Sequence, residues 1–222
     1  MTSNGVRTAQ DIYDAYRIMP NLQLHQLRVA AVGKVICGNS IRETDVRTVI
    51  LAGLFHDMGN IVKSDLVTFP DFLEPEGKAH WELVKKDFIV RYGDDEHAAT
   101  AAIASEIGLS VDARALLGGI GFSKLEQTRD SISHELKVIE YADLRVGPHG
   151  VISMEARIMD AKERYANQFS GIPTAEDSFN RLYAAARKIE EQIFADADIA
   201  PGDITEQSIQ SVVQELRAYP VA

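Results

Sequence analysis

The chain of 222 residues has a single cysteine, Cys37, and lacks any long hydrophobic run. One cysteine excludes an internal disulfide and is typical of a protein in a reducing compartment. Apolar segments such as residues 49–55 are far shorter than the roughly 20 residues that a membrane-spanning helix needs, and the amino-terminal region lacks the pattern of a signal peptide. We therefore expect a cytoplasmic protein without a membrane partner.

Basic residues are also scarce, with 23 Lys and Arg against 33 Asp and Glu and a formal net charge of -10. Binding to a nucleic-acid polymer requires a field of basic side chains, so the composition argues against that partner. An acidic protein can hold an anionic substrate only through bound cations or a few well-placed Lys and Arg. The expected partner is a small phosphorylated molecule.

The spacing of apolar residues is helical almost throughout, without convincing strand alternation, so the sequence predicts an all-α fold. Gly59, Gly93 and Gly108 are placed as helix terminators. Residues 63–77, with Pro70 and Pro75, form the long irregular segment of the first two-thirds, and such loops are often functional lids.

One apolar helical stretch ends in an ionisable pair, His56 and Asp57. A carboxylate beside a buried apolar run is costly unless it is paired or bound to a metal, and at a helix end both side chains can reach one cation. A hydrogen-bonded core histidine beside a surface aspartate is the alternative for this dipeptide alone. His25 lies on an earlier apolar helix and Asp143 on a later one.

This order of His25, His56-Asp57 and Asp143 resembles the HD superfamily of metal-dependent phosphohydrolases, from about residue 11 to about residue 149, and the segment HDMGN looks like the turn common in that superfamily. The resemblance implies an HD-domain helical bundle at residues 1–150, with carboxyl-terminal helices at residues 151–222 packed on the same domain. It also implies that His25, His56, Asp57 and Asp143 bind a divalent metal.

Imidazole and carboxylate ligands suit Mn, Fe, Co, Ni or Zn, and either one or two ions. Dinuclear HD proteins place extra histidines between the His-Asp pair and the last aspartate, where this chain has His80 and His97, so both are candidate metal ligands. For each, a surface histidine at a helix start is the alternative. His134, at a helix start expected to be solvated, and His149, in a loop, are expected to lie outside the metal site.

Arg28, Lys63 and Arg145 stand near these motifs and are candidates for holding anionic oxygens, with Arg28 and Lys63 favoured. Asp57, Lys63 and Arg28 are the expected catalytic residues. Mononucleotide-hydrolysing relatives often have an acidic residue three positions after the motif aspartate, where this chain has Asn60. Glu96 is a speculative substitute for proton handling, and a first-turn Glu that favours the helix dipole is its alternative.

Three functions remain open. In the first, a metal lowers the pKa of a bound water and the resulting hydroxide attacks the phosphorus of a nucleotide or another small phosphorylated metabolite. The second is a di-iron HD-type oxygenase, and the third is a non-catalytic ligand-binding module. The enzymatic interpretation requires the imidazoles of His25 and His56 to lie within about 8 Å of each other.

An apolar stripe in the last third of the chain either closes over the core or forms the face of a homodimer. Its residues are Phe179, Leu182, Tyr183, Ala186, Ile189 and Ile193.

Overall fold

The computed structural model describes residues 6–169 and 175–221, and this part of the chain is almost entirely helical. The exception is a hairpin in which β1 (Val146–Gly147) pairs antiparallel with β2 (Gly150–Val151). The all-α prediction is confirmed. The helices are α1 (Ala9–Ala15), α2 (Pro20–Gly38), α3 (Val46–Phe55), α4 (Lys78–Tyr92), α5 (Glu96–Glu106), α6 (Val111–Gly119), α7 (Leu125–Asp130), α8 (His134–Asp143), α9 (Met154–Phe169), α10 (Ala175–Phe194) and α11 (Glu206–Arg217).

Short 3-10 turns connect some of these helices, at Asn60–Val62, Pro70–Leu73, Phe122–Lys124 and Pro201–Asp203. Across residues 6–169 and 175–221, no helix combines the length and the apolar composition needed to cross a membrane.

Helix α3 occupies the centre of the molecule. Asp45 caps its start by accepting a hydrogen bond from the backbone N–H of Thr48 at 3.0 Å, which satisfies one of the donors left free at a helix amino terminus. Every residue from Thr48 to Phe55 is buried, as expected for a helix that is apolar on all sides. Helices α2 and α8 both pack against α3 and against each other, so three helices converge at one place.

The approach of α2 to α3 depends on Gly53. A Cβ atom at this position would lie 2.6 Å from the Cα of Ala30 and 2.8 Å from its backbone nitrogen. These contacts involve helix backbone, which cannot rotate away as a side chain can. A larger residue at position 53 would therefore separate the two helices that carry His25 and His56.

The carboxyl-terminal helices cover the same core. Helix α10 packs on α7 and α8, and α11 packs on α2. Within the apolar stripe of α10, Ala186, Ile189 and Ile193 are fully buried, so the stripe closes over the core. The division into domains after residue 150 stays a prediction.

The long loop expected at residues 63–77 contains the 3-10 turn Pro70–Leu73, and both Leu66 and Leu73 are buried. Phe69 and Phe72 stack on each other with ring centroids 5.0 Å apart, and both rings contact the imidazole of His149. The loop is thereby joined to the β1–β2 hairpin. Its role as a lid stays a prediction.

Candidate metal centre

Side chains from the ends or faces of α2, α3 and α8 converge on one point. The Nε2 atoms of His25 and His56 lie 3.3 Å apart, and Oδ1 of Asp143 lies 3.2 Å from the first and 3.5 Å from the second. Oδ2 of Asp57 lies 3.7 Å from Nε2 of His25 and 3.6 Å from Nε2 of His56. Two imidazoles and two carboxylates therefore face the same small volume, which we call the four-residue cluster.

The fold determines which nitrogen of His56 faces that volume. Nδ1 of His56 lies 2.9 Å from the carbonyl oxygen of Gly53, one turn earlier, and donates its proton to it. In the neutral imidazole the lone pair is then on Nε2, which faces the cluster. A backbone acceptor of this kind fixes the tautomer and the ring orientation of many metal-binding histidines.

Asp57 is held by two side-chain amides. Asn60 donates a hydrogen bond from Nδ2 to Oδ2 of Asp57, and Oε1 of the buried Gln26 accepts the backbone N–H of Asp57 at 3.2 Å. Asn60 therefore supplies a donor at the position where mononucleotide-hydrolysing relatives often have an acid. Its own Oδ1 is buried and has no partner among the described residues.

Gly59 was expected to terminate a helix, but it has a different reason to be glycine. Its φ of -88° lies in the ordinary helical region, and it immediately precedes the 3-10 turn Asn60–Val62. A Cβ atom here would lie 2.4 Å from the carbonyl oxygen of Glu96 and 2.8 Å from the nitrogen of Thr100, so the turn after Asp57 needs glycine to lie against α5. Gly93 and Gly108, by contrast, have the positive φ of helix terminators.

Positive charge is favoured within the cluster. Burial by itself lowers the pKa of His56, but the carboxylates of Asp57 and Asp143 outweigh it and raise the pKa to about 9. Burial likewise raises the pKa of Asp143, but hydrogen bonds from the imidazoles of His25 and His56 overcome this and hold it well below its usual range. A divalent cation supplies the same positive charge that the two carboxylates attract.

The donor set fits such a cation. His25, His56 and Asp143 each offer one ligand atom, and these atoms all lie within 4.8 Å of one another. Nitrogen and oxygen ligands about 2.0–2.2 Å from a shared transition metal lie at such separations. Asp57 is not a member of this group of three, although its Oδ2 lies within 3.7 Å of both Nε2 atoms. The two predicted ligands on α4 and α5 are not members either, among the described residues.

His80 lies on the exposed side of α4, where its ring meets Trp81 edge-on at 4.8 Å. His97 lies at the start of α5 with 68% of its side chain exposed, and its Nε2 is 3.7 Å from Oε1 of Glu96. Neither histidine belongs to the group of ligand atoms formed by His25, His56 and Asp143, although His97 lines the same cavity as His56. Their ligation of a second metal stays a prediction.

Both favoured basic residues are already paired with carboxylates. Arg28 forms a bidentate ion pair with Glu206, through Nε at 2.8 Å and Nη2 at 2.6 Å, which joins α2 to α11. Lys63 places its Nζ 3.0 Å from Oε1 of Glu96. The same ammonium lowers the pKa of Glu96 against the opposing effect of burial, so Glu96 is an unsuitable substitute for the missing acid.

Arg145 and His134 are also buried by the fold. The guanidinium of Arg145, 4% exposed, donates to the carbonyl oxygens of Ile152, Pro201 and Ile204 and to the hydroxyl of Tyr141. These hydrogen bonds connect the hairpin and the start of α11 to α8. The guanidinium does not direct a free donor group at the four-residue cluster. His134 was expected to be solvated, but it is buried near Ser40, and burial lowers its pKa.

Sequence reasoning missed a buried carboxyl, Glu140, one turn before Asp143 on α8. Oε2 of Glu140 accepts the backbone N–H of Gly121 at 2.8 Å, while Oε1 has no partner among the described residues. Burial raises the pKa of this group to about 8. The spacing of three residues from Asp143 is the signal that could have identified it, because residues three apart share a helix face.

A cavity of ≈ 460 Å³ adjoins the cluster at His56. It lies between α5 and α6, and we call it the basic cavity because its polar lining is formed by His56, His97, Thr100, Ser105, Arg114 and Lys124. The remaining lining residues are small or apolar, and none of the lining residues is acidic. No sequence motif had singled out Arg114 or Lys124.

Comparison with known proteins identifies the class. The model of the HD domain family matches residues 23–200, which is most of the chain, and the chain therefore belongs to that family. HD domains are commonly metal-dependent hydrolases, and the cluster of His25, His56 and Asp143 fits a divalent metal. Searches of the curated proteins and of the solved structures returned no match.

Proposed function

We propose that this HD domain protein is a metal-dependent phosphohydrolase that acts on a nucleotide or another small phosphorylated metabolite. The observation that supports it most directly is the separation of 3.3 Å between the Nε2 atoms of His25 and His56, with carboxylate oxygens of Asp57 and Asp143 within 3.7 Å. A divalent cation bound there supplies Lewis acidity and lowers the pKa of water, which is the chemistry that phosphoester hydrolysis needs.

The protein's own groups have distinct tasks in this proposal. His25, His56, Asp57 and Asp143 hold the cation, and Asn60 keeps the carboxylate of Asp57 turned toward it. The carbonyl oxygen of Gly53 accepts a hydrogen bond from the imidazole of His56, and the side chain of Gln26 accepts one from the backbone N–H of Asp57. These two contacts hold the His-Asp turn. Because His56 and Asp57 are each fixed by contacts outside the cluster, these two ligands keep their geometry without rearrangement during turnover.

One metal is enough for hydrolysis, whereas the di-iron oxygenase requires a second iron with further ligands. The candidates for those ligands, His80 and His97, are not among the three residues whose ligand atoms lie within 4.8 Å of one another. Imidazole and carboxylate ligands from four residues are sufficient for one hydrolytic metal. A non-catalytic binding module predicts an intact ligand after incubation, so turnover separates it from both enzymes.

The test begins with elemental analysis of protein purified without added metal. Metal-free protein, prepared with a chelator, is then reloaded separately with Mn²⁺, Co²⁺, Ni²⁺, Zn²⁺ and, anaerobically, Fe²⁺. Each form is assayed for phosphate release from nucleotides and phosphate monoesters, with and without oxygen. We expect metal-dependent phosphate release that does not require oxygen. Metal-loaded protein that releases no phosphate from any of them, or that consumes oxygen instead, contradicts the proposal.

A further inference from the structure

The basic cavity stands out electrostatically in an acidic protein. The chain carries a formal net charge of -10, yet the cavity lining combines Arg114, Lys124 and two histidines without a carboxylate. Cavity walls of one charge sign concentrate ligands of the opposite sign. The lining therefore attracts an anion to the side of the metal centre that His56 borders.

Neither cation in this lining forms an ion pair with a carboxylate among the described residues, although the charge of Lys124 opposes the rise in the pKa of the buried Glu140. Arg114 donates from Nη1 to the hydroxyl of Ser105 at 3.1 Å, and Lys124 donates from Nζ to the carbonyl oxygen of Gly118 at 2.7 Å. These neutral acceptors hold the two heads in place without neutralising their charge. Each head keeps further N–H donors, because a guanidinium has five and an ammonium has three.

Arg28 and Lys63 provide the contrast. Each already has its charge satisfied by a carboxylate, Glu206 for Arg28 and Glu96 for Lys63. A phosphate group reaching either residue would have to displace that carboxylate. At Arg114 and Lys124 no such exchange is needed.

We propose that Arg114 and Lys124 bind the phosphate group of the substrate in the basic cavity, beside the metal held by the four-residue cluster. This inference rests on the proposed function, because the metal and the two cations would act on the same substrate. Arg114 presents a planar fork to phosphate oxygens and Lys124 a point charge.

The rest of the cavity limits the organic part of the substrate. A volume of ≈ 460 Å³ falls within the range of small-molecule sites and exceeds what a phosphate group alone requires. Its apolar walls consist of small and aliphatic side chains, including Ala101, Ala104, Ala115, Val111 and Leu117. These walls suit a compact phosphorylated molecule, with the hydroxyls of Thr100 and Ser105 available for its polar groups.

The experiment measures binding of inorganic phosphate to Mn²⁺-loaded protein by isothermal titration calorimetry, so that it does not depend on turnover. The variants are Arg114→Gln and Lys124→Gln, since glutamine removes the charge and keeps an N–H donor for Ser105 or Gly118. The matched controls are Arg42→Gln and Lys34→Gln, because these cations are paired with Asp196 and Glu215 and have no predicted role at the site. Manganese content and thermal unfolding are measured for every variant.

We expect each cavity variant to weaken phosphate binding about tenfold, which corresponds to the loss of one charge-assisted contact of about 1.4 kcal/mol. Manganese content should stay unchanged, and the controls should shift the affinity less than about twofold, as expected for charges that are already paired. The affinity of the wild-type protein should also fall with added salt more steeply than that of the variants.

A change below about twofold in both cavity variants, or an equal effect in the controls, overturns the assignment of Arg114 and Lys124. The two proposals fail in different ways. Weakened phosphate binding by the variants in a protein without phosphoesterase activity supports the phosphate site and rejects the hydrolase. Turnover that Arg114→Gln and Lys124→Gln leave unaffected supports the hydrolase and rejects this phosphate site.

Discussion

Two cavities of similar size, both formed by residues that the structure describes, differ in charge. The basic cavity, at ≈ 460 Å³, is lined by Arg114 and Lys124 and borders His56. The second, at ≈ 420 Å³, lies beside the hairpin and is lined by Phe69, residues 147–152, Asp160 and Glu206, and we call it the hairpin cavity. Volume alone does not distinguish them as binding sites.

The difference lies in how the charges are satisfied. In the hairpin cavity Glu206 is paired with Arg28, and Asp160 lies 3.6 Å from Arg157. In the basic cavity the cations contact only neutral acceptors within the described residues. The comparison indicates that unneutralised charge beside a cluster of candidate metal ligands distinguishes the candidate site from the hairpin cavity. Each of the following predictions tests one of these two regions.

The largest effect is expected from His56→Ala, with His149→Ala as the matched histidine from the hairpin cavity. Removing one of two imidazole ligands leaves Asp57 and Asp143 uncompensated, so metal content should fall from about one ion per chain to below a tenth of that, and any phosphoesterase activity should fall by at least about a hundredfold. Elemental analysis and phosphate release measure the two. Full metal occupancy in His56→Ala, or an equal loss in His149→Ala, contradicts the assignment.

The next effect concerns the helix approach that brings His25 to His56. Gly53→Ala places a methyl group against the backbone of Ala30, and we expect a loss of about 3 kcal/mol in the free energy of unfolding together with weaker metal binding. Gly38→Ala is the control on α2, because a Cβ atom there meets no other group within 4 Å. Urea unfolding measures both variants, and equal stabilities would show that the contact does not limit the packing.

The third prediction concerns the pH dependence of stability, which the buried carboxyl of Glu140 should affect. Its pKa is raised to about 8 in the folded protein and lies near 4.5 when unfolded, so the folded state holds the extra proton between these values. Stability should therefore fall as pH rises through this window, by about 2 kcal/mol between pH 6 and pH 8.

The variant Glu140→Gln keeps an acceptor for the N–H of Gly121 and cannot ionise. The free energy of unfolding is measured in urea for metal-free protein at pH 6 and pH 8. Between these pH values the variant should lose about 2 kcal/mol less stability than the wild type. Parallel pH dependence in the two proteins would show that Glu140 ionises normally.

The smallest effect is expected at the ion pair beside the hairpin cavity. Arg28→Gln removes a charge that pairs with the half-exposed Glu206, and we expect a loss of about 1 kcal/mol or less in stability, with kcat unchanged. Thermal unfolding and steady-state kinetics measure this. A large fall in kcat would return Arg28 to the catalytic role that its position in the sequence suggests.

The sequence alone was sufficient to predict the all-α class, membership of the HD family and the residues of the four-residue cluster. Helical periodicity and the order of His25, His56-Asp57 and Asp143 can be recognised from the sequence without knowledge of the tertiary structure. The stripe on α10 could be recognised in the same way, although only the structure shows that it covers the core. The assignments of His80 and His97 stay predictions, because a helix start indicates nothing about its distance from another helix.

Electrostatic pairing was decided by the tertiary structure. Arg28 meets Glu206 across nearly the whole chain, and Lys63 meets Glu96 across 33 positions, so no local pattern could reveal that these charges are already satisfied. Arg114 and Lys124 line the same cavity as His56 only because α6 packs against both α3 and α5. Residue types and their spacing determine which helices form and which side chains can bind a metal. The packing of those helices determines which charges remain free for a substrate, because Coulomb interactions depend on distance in space and not on separation along the chain.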